Sequence, residues 1–417
     1  MPSLPALDQF PTRVASVFAR QGRTILIVLP TLDSGAADAG AVELVRCLAQ
    51  GGYKPIVAAQ AGRLVADIAA YGGEFVPLNA DTKNPIRILR NAAILARLVR
   101  ERQCTSIHAL GRASAWSACI AARATGATFL TSWYKGFREQ NLFKRLYNRV
   151  MVRGDRIIAV SEQIAQLVTD RYGTRNNRIW ERIAVVPVSI DLNRFNPHNV
   201  ARERVDAMRR NWDIEVDTKV ILVTGRIARR KGHHVVVRAA QRLKKNGLKN
   251  FLVVFVGEDR GRSRYTGELW DLVLATGTVD VIRMAAPVND MAAAYATASV
   301  VVSASLQPEG LQRALLEAQA MERTVIVSDL GAGSDVVLSP PVVPQDRITG
   351  LRFAADDDAA LAGALLRFFA MPEPIQRAIG QRGRKWVLEH FNPQTVAEQV
   401  LRLYAQVTDK PGQNRAF

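Results

Sequence analysis

The chain is poor in cysteine, in histidine and in long apolar runs, and each shortage removes a class of function. Its 417 residues include three cysteines, Cys47, Cys104 and Cys119, each inside an apolar stretch and none in a CxxC pair. They offer neither a disulfide framework nor a zinc site, and they read as small buried hydrophobes of a reducing compartment. The five histidines, His108, His198, His233, His234 and His390, show no metal-ligand spacing. The longest apolar runs, such as Thr24 to Pro30 and Ser299 to Ala304, fall well short of the roughly 20 residues a membrane-spanning helix needs. The opening MPSLPALDQFPTRVASVF lacks the charged start, unbroken apolar core and small-residue cleavage site of a signal peptide. A cytoplasmic protein, soluble or peripheral on the inner face of the cytoplasmic membrane, is expected.

Acidic residues are also in short supply. There are 56 Lys and Arg against 38 Asp and Glu, a net charge of +18, and residues 1–200 hold 26 of the basic and only 14 of the acidic ones. A basic first half calls for an anionic partner: nucleic acid, anionic lipid or a phosphorylated acceptor. No helix-turn-helix, RRM, KH or zinc pattern is present, so nucleic acid is not the expected partner.

What is present is ordinary globular material, 48% hydrophobic and 23% charged, at a length suited to two or three domains. Short β-branched runs alternate with helical stretches: strands at Thr24–Leu29, Pro55–Ala59, Glu74–Pro77, Ser106–Ala109, Thr128–Thr131 and Arg156–Val160, with helices at Ala39–Gln50, Ile86–Arg102, Ala113–Ala124 and Glu162–Tyr172 between them. This is the pattern of βα units on a parallel sheet. The Pro- and Asn-rich segment Val186–Val200 reads as a linker. The alternation resumes with strands at Val220–Thr224, Leu252–Val256, Val279–Ile282, Val300–Ser303 and Thr324–Ser328, separated by helices that include Gly232–Lys245 and Gly310–Met321. The expected fold is α/β: two doubly wound, Rossmann-like domains, residues 1–190 and 191–390, with ligands at the carboxyl ends of their strands in a shared cleft. Residues 391–417 are expected to form a helix crossing back to the first domain, followed by a frayed tail.

Two segments carry chemistry. Strand Val220–Thr224 runs into Gly225-Arg226-Ile227-Ala228-Arg229-Arg230-Lys231-Gly232, a basic turn opening a helix, where free N–H groups and the side chains of Arg226 and Lys231 suit a diphosphate. It is not a Walker A loop, and the first βα turn has no GxGxxG, which weighs against a dinucleotide oxidoreductase. Further on, PEGLQRALLEAQAM sets Glu309 near a helix start and Glu317 about two turns later. Carboxylates there are natural acceptors for sugar hydroxyls, and Glu317, embedded among apolar neighbours, needs a partner.

The order GRIARRKG, FLVVFVGED, VVVSASLQPEGLQRALLEAQAMERTVIVSDLGAGSDVV resembles the donor half of family 4 glycosyltransferases, whose mark is two glutamates separated by seven residues. In the first half, LDSGAADAGAVELVRCLAQGGY, RGDRIIAVSEQI and RIAVVPVSIDLNRFNP stand at that family's acceptor-domain landmarks. Nearly the whole chain is covered, and EDRGRSRYTGEL, PEGLQR and EAQAM are similar to a bacterial subgroup that builds lipopolysaccharide and other surface glycans. The resemblance implies a GT-B enzyme, a retaining hexosyltransferase using a nucleotide-diphosphate sugar as co-substrate, with no metal or other cofactor and a glycan or glycolipid acceptor. It further implies that Arg226 and Lys231 bind the donor diphosphate, Glu309 the transferred sugar and Glu317 the ribose, with Gly310 and Leu311 among the substrate-binding residues. Gly35 represents the glycine loop after the first strand. The sequence departs from the pattern at Tyr134, in place of a sugar-contacting histidine, at Ser189, in place of a linker glycine, and at Leu311-Gln312, in place of Phe-Gly. These departures leave a second reading, a degenerate member that binds donor or glycan without turnover.

Two more features bear on partners. His108 ends a strand, where it contacts acceptor or donor or is a satisfied structural histidine. Between Trp133 and Arg156 seven basic residues, among them Lys144, Arg145 and Arg149, are interleaved with Trp133, Tyr134, Phe137, Phe143 and Tyr147, a composition that suits an anionic membrane surface.

Overall fold

The computed structural model describes residues 22–33, 35–137, 141–174, 177–259, 263–307, 309–330 and 333–408. The expected tail at Pro411–Phe417 and the opening segment lie outside them. The chain divides into two compact units, residues 1–189 with 393–417, and residues 190–392.

Unit 1 follows the order β1 (Thr24–Thr31), α1 (Ala36–Gln50), β2 (Lys54–Gln60), α2 (Val65–Ala70), β3 (Glu74–Pro77), α3 (Pro85–Glu101), β4 (Cys104–Ala109), α4 (Arg112–Thr125), β5 (Thr128–Trp133), α5 (Leu142–Asn148), β6 (Arg156–Ala159), α6 (Glu162–Tyr172), β7 (Ile183–Val185). Its strands form a parallel sheet in the order β3-β2-β1-β4-β5-β6-β7. Ile25 to Leu29 of β1 are fully buried, as a central strand covered on both faces requires, and this is why the segment reads as an unbroken apolar run instead of an alternating one.

Unit 2 continues with α7 (Arg202–Asn211), β8 (Lys219–Thr224), α8 (His233–Lys245), β9 (Phe251–Val256), α9 (Ser263–Ala275), β10 (Ile282–Ala285), α10 (Met291–Thr297), β11 (Val300–Ser303), α11 (Arg313–Ala320), β12 (Thr324–Ser328), α12 (Gly333–Val336), β13 (Gly350–Phe353), α13 (Asp358–Ala370) and α14 (Glu373–His390). The sheet order is β10-β9-β8-β11-β12-β13. In each unit the direction of winding reverses beside the first strand, between β1 and β4 and between β8 and β11, and the carboxyl ends flanking that reversal are where open α/β sheets bind ligands.

The last helix, α15 (Pro393–Thr408), belongs to unit 1. Val396, Val400, Leu401, Leu403 and Tyr404 join the core built by β1, β2 and α1. Gly51 at the end of α1 is needed there, since a Cβ on it would come within 2.2 Å of the Leu401 side chain.

Two expectations about local structure are corrected. The segment Val279–Val281 is a 3-10 turn and the strand follows it at Ile282–Ala285. The helix expected to open at Gly310 opens at Arg313. The stretch between the linker and Val220, to which the sequence reading assigns no element, contains α7, which buries only Met208 along its ten residues and so has no apolar stripe to betray it. Among the described residues no helix is long and apolar enough to cross a membrane.

Candidate functional site

The basic turn after β8 is held in one shape by close backbone packing. Gly225 has φ of +116° and donates its N–H to the Val256 carbonyl. A 3-10 turn over Arg229–Lys231 follows, and Gly232, at φ +68°, caps α8. A Cβ at Gly232 would meet the Ala304 carbonyl oxygen at 1.9 Å, so the turn lies directly against the end of β11. The N–H of Leu306 donates to the Arg230 carbonyl at 2.8 Å, tying the loop after β11 to the same turn.

This packing brings Lys231 and Arg230 onto Glu309. Lys231 Nζ donates to Glu309 Oε2 at 2.5 Å and the Arg230 guanidinium donates to Oε1; the Glu309 side chain is only 12% exposed. Arg226 is exposed in the same turn. Arg229 points elsewhere, pairing with Glu268 and lying 5.2 Å from the Tyr265 ring centre. Sequence reasoning placed Lys231 and Glu309 in one site but missed Arg230, because side-chain direction within a 3-10 turn is not readable from a run of four cations.

Gly310, buried, and Leu311, partly buried, lie in the loop before α11, not in its first turn. Gln312 is the residue preceding the helix, and its Oε1 accepts from the Ser303 hydroxyl at 2.7 Å. The second carboxylate, Glu317, sits at the middle of α11. Tyr295 of α10, fully buried, donates its hydroxyl to Glu317 Oε2 at 2.9 Å and also bonds the Thr224 side chain at the end of β8. Burial raises the Glu317 pKa above the ordinary carboxylate value, while Arg313, the Tyr295 hydroxyl and Arg194 pull in the opposite direction. Tyr295 and Thr224 were not anticipated. The one available signal was a lone aromatic in the alanine-rich MAAAYAT.

A carboxylate whose pKa is raised on folding opposes folding when ionised, so its favourable contribution is complete below the ordinary carboxylate range and is lost as pH rises through the raised value. Glu317→Gln keeps an acceptor for Tyr295 without the buried charge. The unliganded variant is expected to unfold at a higher temperature than the parent at pH 7.5, with the gap closing below about pH 4. A melting-curve series across pH checks this.

In unit 1, Gly35 precedes α1 and donates its N–H to Asp38 Oδ2 at 2.9 Å. That oxygen also accepts from the Asp33 N–H and the Thr31 hydroxyl. The loop after β1 is therefore folded around the buried Asp38. His108 is corrected to its structural reading. It is 1% exposed, Nδ1 shares a hydrogen bond with the Tyr404 hydroxyl at 2.6 Å and Nε2 one with the Ser132 hydroxyl at 2.7 Å. With both ring nitrogens engaged inside the fold, neither remains for a substrate, and burial lowers its pKa to about 3.

Tyr134 is partly buried against α1. A Cβ on Gly40 of that helix would come within 2.4 Å of the Tyr134 ring, so the glycine exists to admit the ring. Ser189 is held by its neighbour as well, its hydroxyl donating to Glu43 Oε1 at 2.6 Å, and Arg46 pairs with the same oxygen. Gly40→Ala is expected to destabilise unit 1 by about 1–3 kcal/mol, opposite in sign to the roughly 1 kcal/mol that replacing a helical glycine ordinarily gains. In a Tyr134→Ala background the same change should cost nothing further. Thermal unfolding of the two single variants and the double variant measures that coupling.

Of the aromatic residues counted on for a membrane-facing stretch, Trp133 is buried, Tyr134, Phe137 and Tyr147 are partly so, and Phe143 is exposed. Arg138 lies outside the described residues. Among the described residues no group of three or more His, Cys, Asp or Glu is arranged to hold a metal ion.

Comparison with known proteins agrees with this architecture. Residues 38–194 match the model of Glycosyltransferase Family 4, and residues 218–371 match that of Glycosyl transferases group 1. The D-inositol 3-phosphate glycosyltransferase of Nocardiopsis dassonvillei is 29% identical over 236 residues, 55% of this chain and 51% of its own length. This chain spans about half the length of the curated relatives it matches first. The crystal structure of a glycosyltransferase from Rickettsia africae is similar with a TM-score of 0.80 at 26% identity, over 94% of this chain and 99% of that one. The Anabaena protein HepE, solved with UDP, has a TM-score of 0.78 at 15% identity, over 92% and 100% of the two chains, a likeness in fold alone. With a Glycosyltransferase Family 4 domain over residues 38–194, a Glycosyl transferases group 1 domain over residues 218–371 and two Rossmann-like parallel sheets, the chain carries the paired domains of a GT-B glycosyltransferase.

Proposed function

We propose that the protein is a retaining hexosyltransferase that takes its sugar from a nucleotide-diphosphate donor held by unit 2 and delivers it to a lipid-linked or lipopolysaccharide-type glycan. The observation that carries this reading is the convergence of Lys231 and Arg230 on one carboxylate, Glu309, where the winding of the unit 2 sheet reverses. A site with two cations and one acid there suits a diphosphate next to a polyhydroxylated group. On donor binding, Lys231, Arg230 and the exposed Arg226 take the phosphate oxygens and Glu309 takes sugar hydroxyls in their stead, while Glu317 accepts from the ribose.

In the transfer step the bond from the anomeric carbon to the β-phosphate oxygen breaks and its electron pair stays on that oxygen. The acceptor hydroxyl forms the new bond from the same face, and its proton passes to the departing phosphate. Negative charge grows on the phosphate as this happens, and prepositioned cations stabilise it more than they stabilise the ground state. No metal and no second carboxylate of the hydrolase kind are required by this scheme. The basic first unit supports an anionic acceptor, and attachment to the inner face of the cytoplasmic membrane would bring the enzyme to a lipid-linked one.

A thermal-shift series with UDP, GDP, ADP and CMP identifies the nucleotide, since a ligand that binds only the folded state raises the melting temperature. Transfer from the matching sugar donors, followed by NMR of the product's anomeric proton, then tests turnover and retention. Binding without transfer from any donor would leave a glycan- or donor-binding protein instead.

A further inference from the structure

Among the described residues, the five most exposed large apolar side chains of unit 1 lie on two short stretches of helix. On α5, Leu142 is 78% exposed, Phe143 85% and Leu146 58%; on the first turns of α3, Ile86 is 76% and Leu89 60% exposed. A monomeric surface scatters such residues singly, and a contiguous group of them marks an interaction site. The two stretches are neighbours through α4, against which α3 packs. Trp116 of α4 donates its indole N–H to the Tyr147 carbonyl of α5 at 3.2 Å and the two rings lie 6.3 Å apart. Asp81, just before α3, is close enough to the Tyr147 hydroxyl to help burial raise its pKa.

The surroundings are one-sided in charge. The sequence has no Asp or Glu from Thr82 to Arg100 or from Asn141 to Gly154. Lys83, Arg87, Arg90, Lys144 and Arg149 are exposed, and none of the five is in an ion pair with another described residue. On α3 the opposite face is spent on the fold, with Asn91, Ala92, Leu95, Ala96 and Val99 buried, so the outward residues do not serve the core. A surface that combines exposed apolar side chains with cations and carries no acid on either stretch has the composition of an interfacial membrane helix, and its charge is complementary to an anionic leaflet.

We infer that α5 and the first turns of α3 form one docking surface for an anionic lipid leaflet, with Phe143, Leu142 and Ile86 entering the headgroup boundary and the cations meeting lipid phosphates. The inference deepens the proposed function by giving its lipid-linked acceptor a place of approach, and it rests on that reading for its purpose. The assignment extends the basic stretch read from the sequence to α3, which the sequence shows only as a helix between two strands.

Co-sedimentation with phosphatidylcholine vesicles, with and without about one third phosphatidylglycerol, tests it. The protein should bind the anionic vesicles at low salt, leave them as salt rises, and bind the neutral ones at least about tenfold less. Phe143→Ser with Leu146→Ser, and separately Ile86→Ser with Leu89→Ser, should each weaken binding about tenfold, as should Arg87→Glu with Arg90→Glu. All are exposed positions, so unfolding temperature and the nucleotide-induced shift of unit 2 should stay as in the parent. Failure of the parent to sediment with anionic vesicles, or equal sedimentation of the α3 variants, overturns the surface while leaving the donor site standing. A concentration-dependent dimer that the Phe143 variant dissociates would overturn it too, by giving the face to a second copy of the chain.

Discussion

Glu309→Gln is expected to lower sugar transfer by a hundredfold or more while nucleotide-diphosphate binding holds or tightens. In the unliganded site Glu309 is the shared counterion of Lys231 and Arg230, so a diphosphate must compete with it for both cations. A neutral amide of the same size removes that competitor. The sugar, however, loses a charged acceptor, and hydrogen bonds to an ionised partner are about twice as strong as neutral ones. Loss of one such interaction in the transition state is worth on the order of 3 kcal/mol, or a hundredfold or more in turnover. Calorimetry with the nucleotide and steady-state rates with the sugar donor separate the two quantities. Small and equal changes in both would show that the cluster is an ordinary ion pair.

Lys231→Ala should act in the other direction, weakening nucleotide-diphosphate binding by about 1.5–3 kcal/mol, roughly ten- to a hundredfold, and transfer by more than that because charge on the phosphate increases in the transition state. It also leaves the mostly buried Glu309 with one cation instead of two. The unliganded variant should therefore be less stable than the parent, and adding Glu309→Gln should restore part of that stability without restoring affinity. Nucleotide affinity unchanged from the parent would remove Lys231 from the phosphate site.

Strands buried on both faces announce themselves in sequence because every residue must be apolar, and β1, β9 and β11 were accordingly legible almost to the residue. The helix α7 was not, since a helix lying on the surface needs no stripe. In the candidate site, residue type pointed to Lys231 and Glu309, which the fold pairs, and to a Glu317 in need of a partner, which Tyr295 supplies. The site was opaque where the answer depends on direction. The four cations of the basic turn look alike in sequence, and only the 3-10 turn sends Arg230 to Glu309 and Arg229 to Glu268. His108 ends a strand in a position that suits either a ligand or the core. What decides it is Tyr404, 296 residues away in the chain, a separation no local pattern spans.

That separation also sets an order of events during synthesis. Unit 2 is one continuous segment and has its whole core once residue 392 has emerged, whereas unit 1 needs α15 as well. Until residues 393–408 are made, the apolar side of α1 and β1 that receives Val396, Val400 and Leu403 has no cover, and His108 has lost one of its two hydrogen-bond partners. Of the two units, the one translated first is thus the one completed last, and while unit 2 is being translated the uncovered apolar side of α1 and β1 stays open to aggregation.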